Sequence, residues 1–146
     1  MTKSEFHQKL IEAKQQRPKV FGSTTPDPLA SDDQIDTLEN IIGCKLEGSH
    51  REFLQEFGGG DFGFGVLFCA NPESEWFLVS HLNQRSRDLS FIPVSDDFAG
   101  GVYGFLAKNG RCEPPLLVLD HESGDLIKTD FHNVFDFMDR YALRPA

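Results

Sequence analysis

The 146-residue chain has three cysteines, one tryptophan and no long apolar run, and it is short of positive charge, with 14 Lys+Arg against 23 Asp+Glu. Each scarcity excludes something. The longest apolar stretch, residues 63–70, tolerates glycines and falls far short of the roughly 20 residues a spanning helix needs. Residues 1–10 are charged and lack an apolar h-region, so no secretory signal is expected. A formal charge of −9 argues against coating DNA or RNA, which takes Lys and Arg against phosphate, and would repel an anionic membrane surface. Cys44, Cys69 and Cys112 are widely spaced and odd in number, so they make no disulfide framework. Their apolar neighbours suggest buried free thiols, which fits a cytoplasmic chain. No Walker motif, G-x-S-x-G, H-E-x-x-H or C-x-x-C occurs, and His7, His50, His81 and His132 each stand without a second ligand at helical spacing. No cofactor, metal or catalytic residue is therefore assigned.

What is present is enough for one globular domain: 39% hydrophobic residues, 25% charged, and 14 Phe. A chain of this length buries roughly 68–70% of its unfolded surface, a core that needs no staple. Charge is uneven. Residues 1–20 hold five Lys/Arg and two Asp/Glu, net +3, and residues 21–146 hold nine and twenty-one, net −12.

The periodicity predicts a helix over residues 3–16 with Phe6, Leu10 and Ala13 on one side, then an irregular connection over 17–30 with Pro18, Gly22, Pro26 and Pro28. Ser31 to Gln34 reads as a capping box opening a helix whose apolar face is Ile35, Leu38, Ile41 and Ile42, closed by Gly43. Ser49 to Glu52 reads as a second box, before Phe53, Leu54 and Phe57, with Gly58 to Gly60 ending that helix. Residues 64–69 read as a buried strand. Asn71-Pro72 predicts a helix over 73–87 with Trp76, Val79 and Leu82 inward. Residues 91–94, 102–107, 116–119 and 126–129 read as strands, the last three separated by the turn signals Asn109-Gly110 and Glu122 to Asp125. Val134, Phe135, Met138 and Tyr141 predict a closing helix. Helices first and a meander second make the class α+β: a single domain with a mainly antiparallel sheet, N-terminal helices and a C-terminal helix.

Three features invite a chemical reading. Residues 58–63 match G-x-G-x-x-G, but they follow a helix and precede a strand, the reverse of a dinucleotide turn, so a structural turn is expected. Asp120-His121-Glu122 sets an imidazole between carboxylates. Alternating side-chain directions keep both acids from facing it at once, leaving a hydrogen-bonded turn or, alternatively, acid–base work. Asp96-Asp97, before Phe98-Ala-Gly-Gly101, and Asp61, after the glycines, are solvated turn acids or a partner surface; a calcium loop would want more alternating oxygens. Trp76 reads as core or as a binding anchor.

The run Ile35-Asp-Thr-Leu-Glu-Asn-Ile-Ile-Gly-Cys-Lys-Leu46, followed by Arg51-Glu-Phe-Leu-Gln-Glu-Phe-Gly-Gly-Gly-Asp61, resembles the SUKH superfamily. That group includes fungal cell-wall-assembly (glucan synthesis) regulators and bacterial immunity proteins. Phe91-Ile-Pro-Val94 with Asp96-Asp97, Leu117 to Glu122 and Phe131 to Tyr141 are similar to its later strands, acidic turns and terminal helix. The likeness spans residues 31–141. Glu47 stands where the family has proline after leucine, and His50 stands at its usual aromatic position. The resemblance implies residues 1–30 as an N-terminal helix and connection, and residues 31–146 as a SUKH-like α+β unit within one globular body. It also implies a non-catalytic binding domain, an immunity protein that occludes a toxin such as a basic nuclease, with Asp61, Asp96, Asp97 and Glu122 as contacts. The alternatives are a regulatory scaffold in cell-wall synthesis and an enzyme centred on His121. Oligomeric state is not legible.

Overall fold

The computed structural model describes residues 1–23, 25–84 and 90–144. Helix α1 (Lys3–Gln16) forms as the spacing predicts and buries Phe6, Leu10 and Ala13. Its start is fixed by a capping box not singled out in the sequence: the Thr2 side chain accepts from Glu5 N–H, and the Glu5 carboxylate accepts from Thr2 N–H. The connection over 17–30 is not wholly irregular. Pro18–Ser23 form a short helix, α2, because proline has the φ of a first helical residue and needs no donor there, and Phe21 is buried from it.

Helix α3 (Asp32–Ile42) has the predicted Ser31–Gln34 box and a left-handed Gly43 cap at φ +81°. Its buried face differs from the expected one. Ile35 and Leu38 are buried, Ile41 is 52% exposed, and Glu39 is buried. A helical stripe runs i, i+3, i+4, i+7, which is Ile35, Leu38, Glu39, Ile42; Ile41 at i+6 lies off it. Glu39 is tolerated inside because its carboxylate accepts from Leu46 N–H at 2.8 Å and pairs with Arg51 at 3.2 Å and Lys45 at 3.6 Å.

Helix α4 (Gly48–Glu56) corrects the second capping box. Its cap is Glu47, whose carboxylate accepts from Ser49 N–H at 2.9 Å and His50 N–H at 3.2 Å. A carboxylate satisfies free donors at a helix start and faces the positive end of the dipole. Thus Glu47, whatever stands there in the chains it resembles, begins the helix. Ser49, inside the first turn, donates its hydroxyl to Glu47 and accepts from Val134 N–H at 2.8 Å, tying α4 to the closing helix.

Strands β1 (Gly60–Phe62) and β2 (Gly65–Leu67) make an antiparallel hairpin, so the strand expected over 64–69 is shorter and has a partner that the sequence did not reveal. The helix expected over 73–87 is absent through residue 77. Asn71 Oδ1 accepts from Glu73 N–H in a turn, Cys69 N–H donates to Trp76 O, and Leu78 N–H donates to Cys69 O. Those bonds take backbone groups a helix would need, and only a 3-10 helix, Leu78–Gln84, follows. Residues 85–87 of that expectation lie outside the described residues. Leu78 is fully buried, with Trp76, Val79 and Leu82 half-buried.

Strands β3 (Phe91–Asp96), β4 (Gly101–Lys108), β5 (Arg111–Asp120) and β6 (Leu126–Lys128) form the antiparallel meander in chain order. Asn109 and Gly110 both have positive φ, the requirement of a two-residue type I′ hairpin turn. Helix α5 (Val134–Met138) and a π-helical turn (Asp139–Leu143) close the chain, with Val134, Phe135, Phe137 and Met138 in the core and Tyr141 half-buried. The class is α+β, with two antiparallel sheets packed with helices.

Phenylalanines make the centre. Phe53 lies 5.1–5.9 Å, centroid to centroid, from Phe6, Phe57, Phe62 and Phe135, which joins α1, α4, β1 and α5. Phe6→Ala is expected to lower unfolding free energy by about 3–5 kcal/mol in urea titrations; a loss under about 1 kcal/mol would mean that α1 does not share this core. Ser49→Ala strands Val134 N–H in the interior, and the same titration should show a loss of about 1–3 kcal/mol.

Candidate functional site

The glycine-rich turn is filled from within the chain. Gly58 and Gly60 have φ of +75° and +73°, and a Cβ on either would lie 2.1 Å from Asp27 O or 2.3 Å from Asp27 Oδ2. Asp27 donates its N–H to Gly59 O at 2.8 Å, and its carboxylate accepts from Ser74 Oγ at 2.7 Å and Cys69 Sγ at 3.1 Å. The G-x-G-x-x-G match is therefore the structural turn expected of it, packed against the protein's own Asp27, and Gly58 and Gly60 are there to allow that close approach. Asp27 carried no signal in the sequence, since its partners are 32 to 47 positions away.

The acids singled out in the sequence divide between two places. Asp96 and Asp97 form the turn from β3 to β4, and Glu122 lies in the turn from β5 to β6. These turns are neighbours: His121 N–H donates to Gly100 O at 3.4 Å, and Gly101 pairs with Asp120 across β4 and β5. One end of the sheet thus gathers Asp96, Asp97, Asp120, Glu122 and Asp125, and the two turns contain no Lys or Arg. Asp61 stands apart on β1, exposed and in register with Val66. The carboxylates of the first turn hold its backbone: Asp96 Oδ1 accepts from Phe98 N–H at 2.7 Å, and Asp97 Oδ1 accepts from Ala99 and Gly101 N–H at 2.8 and 2.9 Å. In the second, Asp120 accepts from Glu122 N–H at 3.0 Å and Ser123 Oγ at 3.1 Å, which leaves His121 exposed without that carboxylate. Among the described residues no cluster of His, Cys, Asp and Glu is placed to hold a metal.

Beside the acids stands an aromatic that the sequence reading passed over. Phe98 is 66% exposed at φ +58°, a left-handed conformation unfavourable to a bulky residue. Its ring meets Trp76 edge-on at 5.8 Å, and Trp76 stacks in turn on His81 at 5.8 Å and 16°, with His81 on Phe68 at 4.1 Å. Trp76 is therefore part core and part support for the surface ring. Phe98 also lines a groove of about 210 Å³, together with Phe64, Val66, Phe137, Met138, Tyr141, Asp97 and Arg144. The only sequence signal for Phe98 was its place, an apolar residue in a glycine-rich turn with no period to explain it.

A family model described as SUKH_6, SMI1-KNR4 cell-wall, matches residues 32–137, well over half of the chain. The chain belongs to the SUKH superfamily. No curated protein matches it. The matched span of this SUKH chain runs from α3 to α5, so it includes both acidic turns and Phe98, while α1 and α2 precede it.

The strongly perturbed groups of this SUKH domain are internal. His50, at the family's usual aromatic position, is buried, and a ring nitrogen lies 3.0 Å from Phe68 O. Burial pushes its pKa down to about 4, against the smaller opposing effect of that carbonyl. Cys44 and Cys112 have their sulfurs 3.8 Å apart; this hydrogen bond and burial push the Cys112 thiol well up. Burial raises Cys69 to about 11. At neutral pH these three side chains are therefore held in their neutral forms inside the core.

Two outcomes follow from those shifts. The folded-state pKa of His50 lies below its unfolded value near 6.5, so the unfolded chain binds the extra proton between them. Its contribution is intact above pH 6.5 and is lost as pH falls toward 4, on the order of 3 kcal/mol. The slope of unfolding free energy with pH across that window should flatten in His50→Gln, and equal slopes would contradict the assignment. Iodoacetamide at neutral pH should leave Cys69 and Cys112 unmodified in the native protein and label both after unfolding, read by mass spectrometry; rapid native labelling would contradict it.

Proposed function

We propose that this SUKH domain is a non-catalytic, cytoplasmic protein-binding module that neutralises a bacterial toxin by covering its active surface, a basic nuclease being the target class its charge suits. The observation that carries the reading is the acidic end of the sheet, where Asp96, Asp97, Asp120, Glu122 and Asp125 meet without a Lys or Arg in either turn. Such a surface steers a basic protein into encounter and raises the association rate, an effect that salt screens. Asp61, on β1, belongs to this reading as a flanking contact. The enzyme reading draws no support from His121, which is exposed in a turn while Asp120 is engaged with the backbone and Ser123. A second reading, a scaffold in cell-wall synthesis, is favoured by the wording of the family description.

Co-expression with candidate bacterial toxins, basic nuclease domains first among them, separates the two. Toxin neutralisation predicts survival of the host, recovery of a stable complex, and an association rate that falls steeply with added salt. Death of the host with no complex, and a pulldown returning wall-synthesis enzymes, would transfer the assignment to the second reading.

A further inference from the structure

Asp96 and Asp97 supply charge, but charge alone gives a partner no fixed pose, and the groove they help to line does. We infer that the exposed ring of Phe98, beside Asp97, is the stacking face for an arginine side chain of a basic partner protein, with an adjoining apolar residue of the same segment filling the groove between Phe98 and Phe64. This rests on the reading that the partner is a basic protein. The molecule already displays the stacking involved. The guanidinium carbons of Arg144 and Arg17 lie 4.9 and 5.6 Å from the centre of the Phe64 ring, and these are the cation–ring contacts among the described residues. Phe98 offers the same kind of ring, 66% exposed, next to Asp97. A planar guanidinium suits that pair of partners, because it stacks on an aromatic face while its edge donors reach a carboxylate.

The seat is held ready before binding. Trp76 backs Phe98 from one side, and its own position is set by stacking on His81. Asp96 and Asp97 clamp the turn through three backbone N–H groups. The Tyr141 hydroxyl on the groove wall is held 3.0 Å from that of Tyr103. Val66, Phe137 and Met138, all buried, give the groove an apolar lining, and its volume is about 210 Å³. Phe98 keeps its left-handed conformation at a cost to stability that glycine would avoid, and at this exposure its ring returns little to the core.

The test uses the full chain and its Phe98→Ala and Phe98→Gly variants, titrated with a short blocked Leu-Arg-Leu peptide and with Leu-Glu-Leu, and followed by amide resonances. Expected are shifts centred on residues 96–101 and Tyr141 with the arginine peptide only, binding at least tenfold weaker in both variants, and a melting temperature unchanged in Phe98→Ala and raised in Phe98→Gly. Shifts centred elsewhere, equal binding by the variants, or a marked fall in melting temperature in both would overturn the seat. If a basic toxin is neutralised equally well by the wild-type chain and by Phe98→Ala, the seat is wrong while the immunity reading stands. If the peptide seats on Phe98 but no toxin is neutralised, the seat stands and the immunity reading fails.

Discussion

The ring of Phe53, enclosed by Phe6, Phe57, Phe62 and Phe135, is the contact on which the other elements depend. Edge-to-face and tilted aromatic pairs at these separations add specific geometry to a large buried area. They hold together four segments that are distant in sequence: the first helix, the helix capped by Glu47, the short hairpin and the closing helix. Around this centre the meander places one face, with Ile92, Val94, Tyr103 and Phe105, against the helices. Its turn end is then left to solvent, and the acids gather there.

The legible parts of the chain were those decided locally. The first helix, the Ser31 box, the left-handed Gly43 and the strand order follow from spacing and turn chemistry within a few residues. The misread parts were settled at a distance. Glu39 is inside because Arg51 and Lys45 arrive from other segments, and Ser49 is released from capping because Glu47 does it and Val134 needs an acceptor. The helix expected after Asn71 lost to pairing with Cys69, and no local signal weighs that competition. The candidate site shows the same division. The acids were visible one by one, but their grouping depends on the meander bringing two turns together. Asp61 separates from them because it lies on the other sheet. Phe98 was hidden because exposure of one aromatic in a turn has no periodic signature.

Function, on this account, comes from a division of charge and shape. Among the perturbed titratable groups, His50, Cys69 and Cys112 are spent on the interior, where burial and, for Cys112, the contact with Cys44 hold them neutral. The acids at the sheet end stay in solvent, where they act over distance, while Phe98 and its groove act only on contact. On the proposed reading, long-range attraction would set how fast a basic partner arrives, and the aromatic seat how long it stays. The N-terminal net charge of +3 lies on a segment built into the core by Phe6 and Leu10, outside the matched family span.

The most direct measurement is hydrogen–deuterium exchange of the chain alone and mixed with a basic toxin nuclease domain whose killing it blocks. The account predicts slowed exchange in the complex at residues 96–101 and 120–126, with α1 and the outer side of α3 unchanged. Slowed exchange confined to α1 or α3, with both turns as free as in the isolated protein, would contradict it.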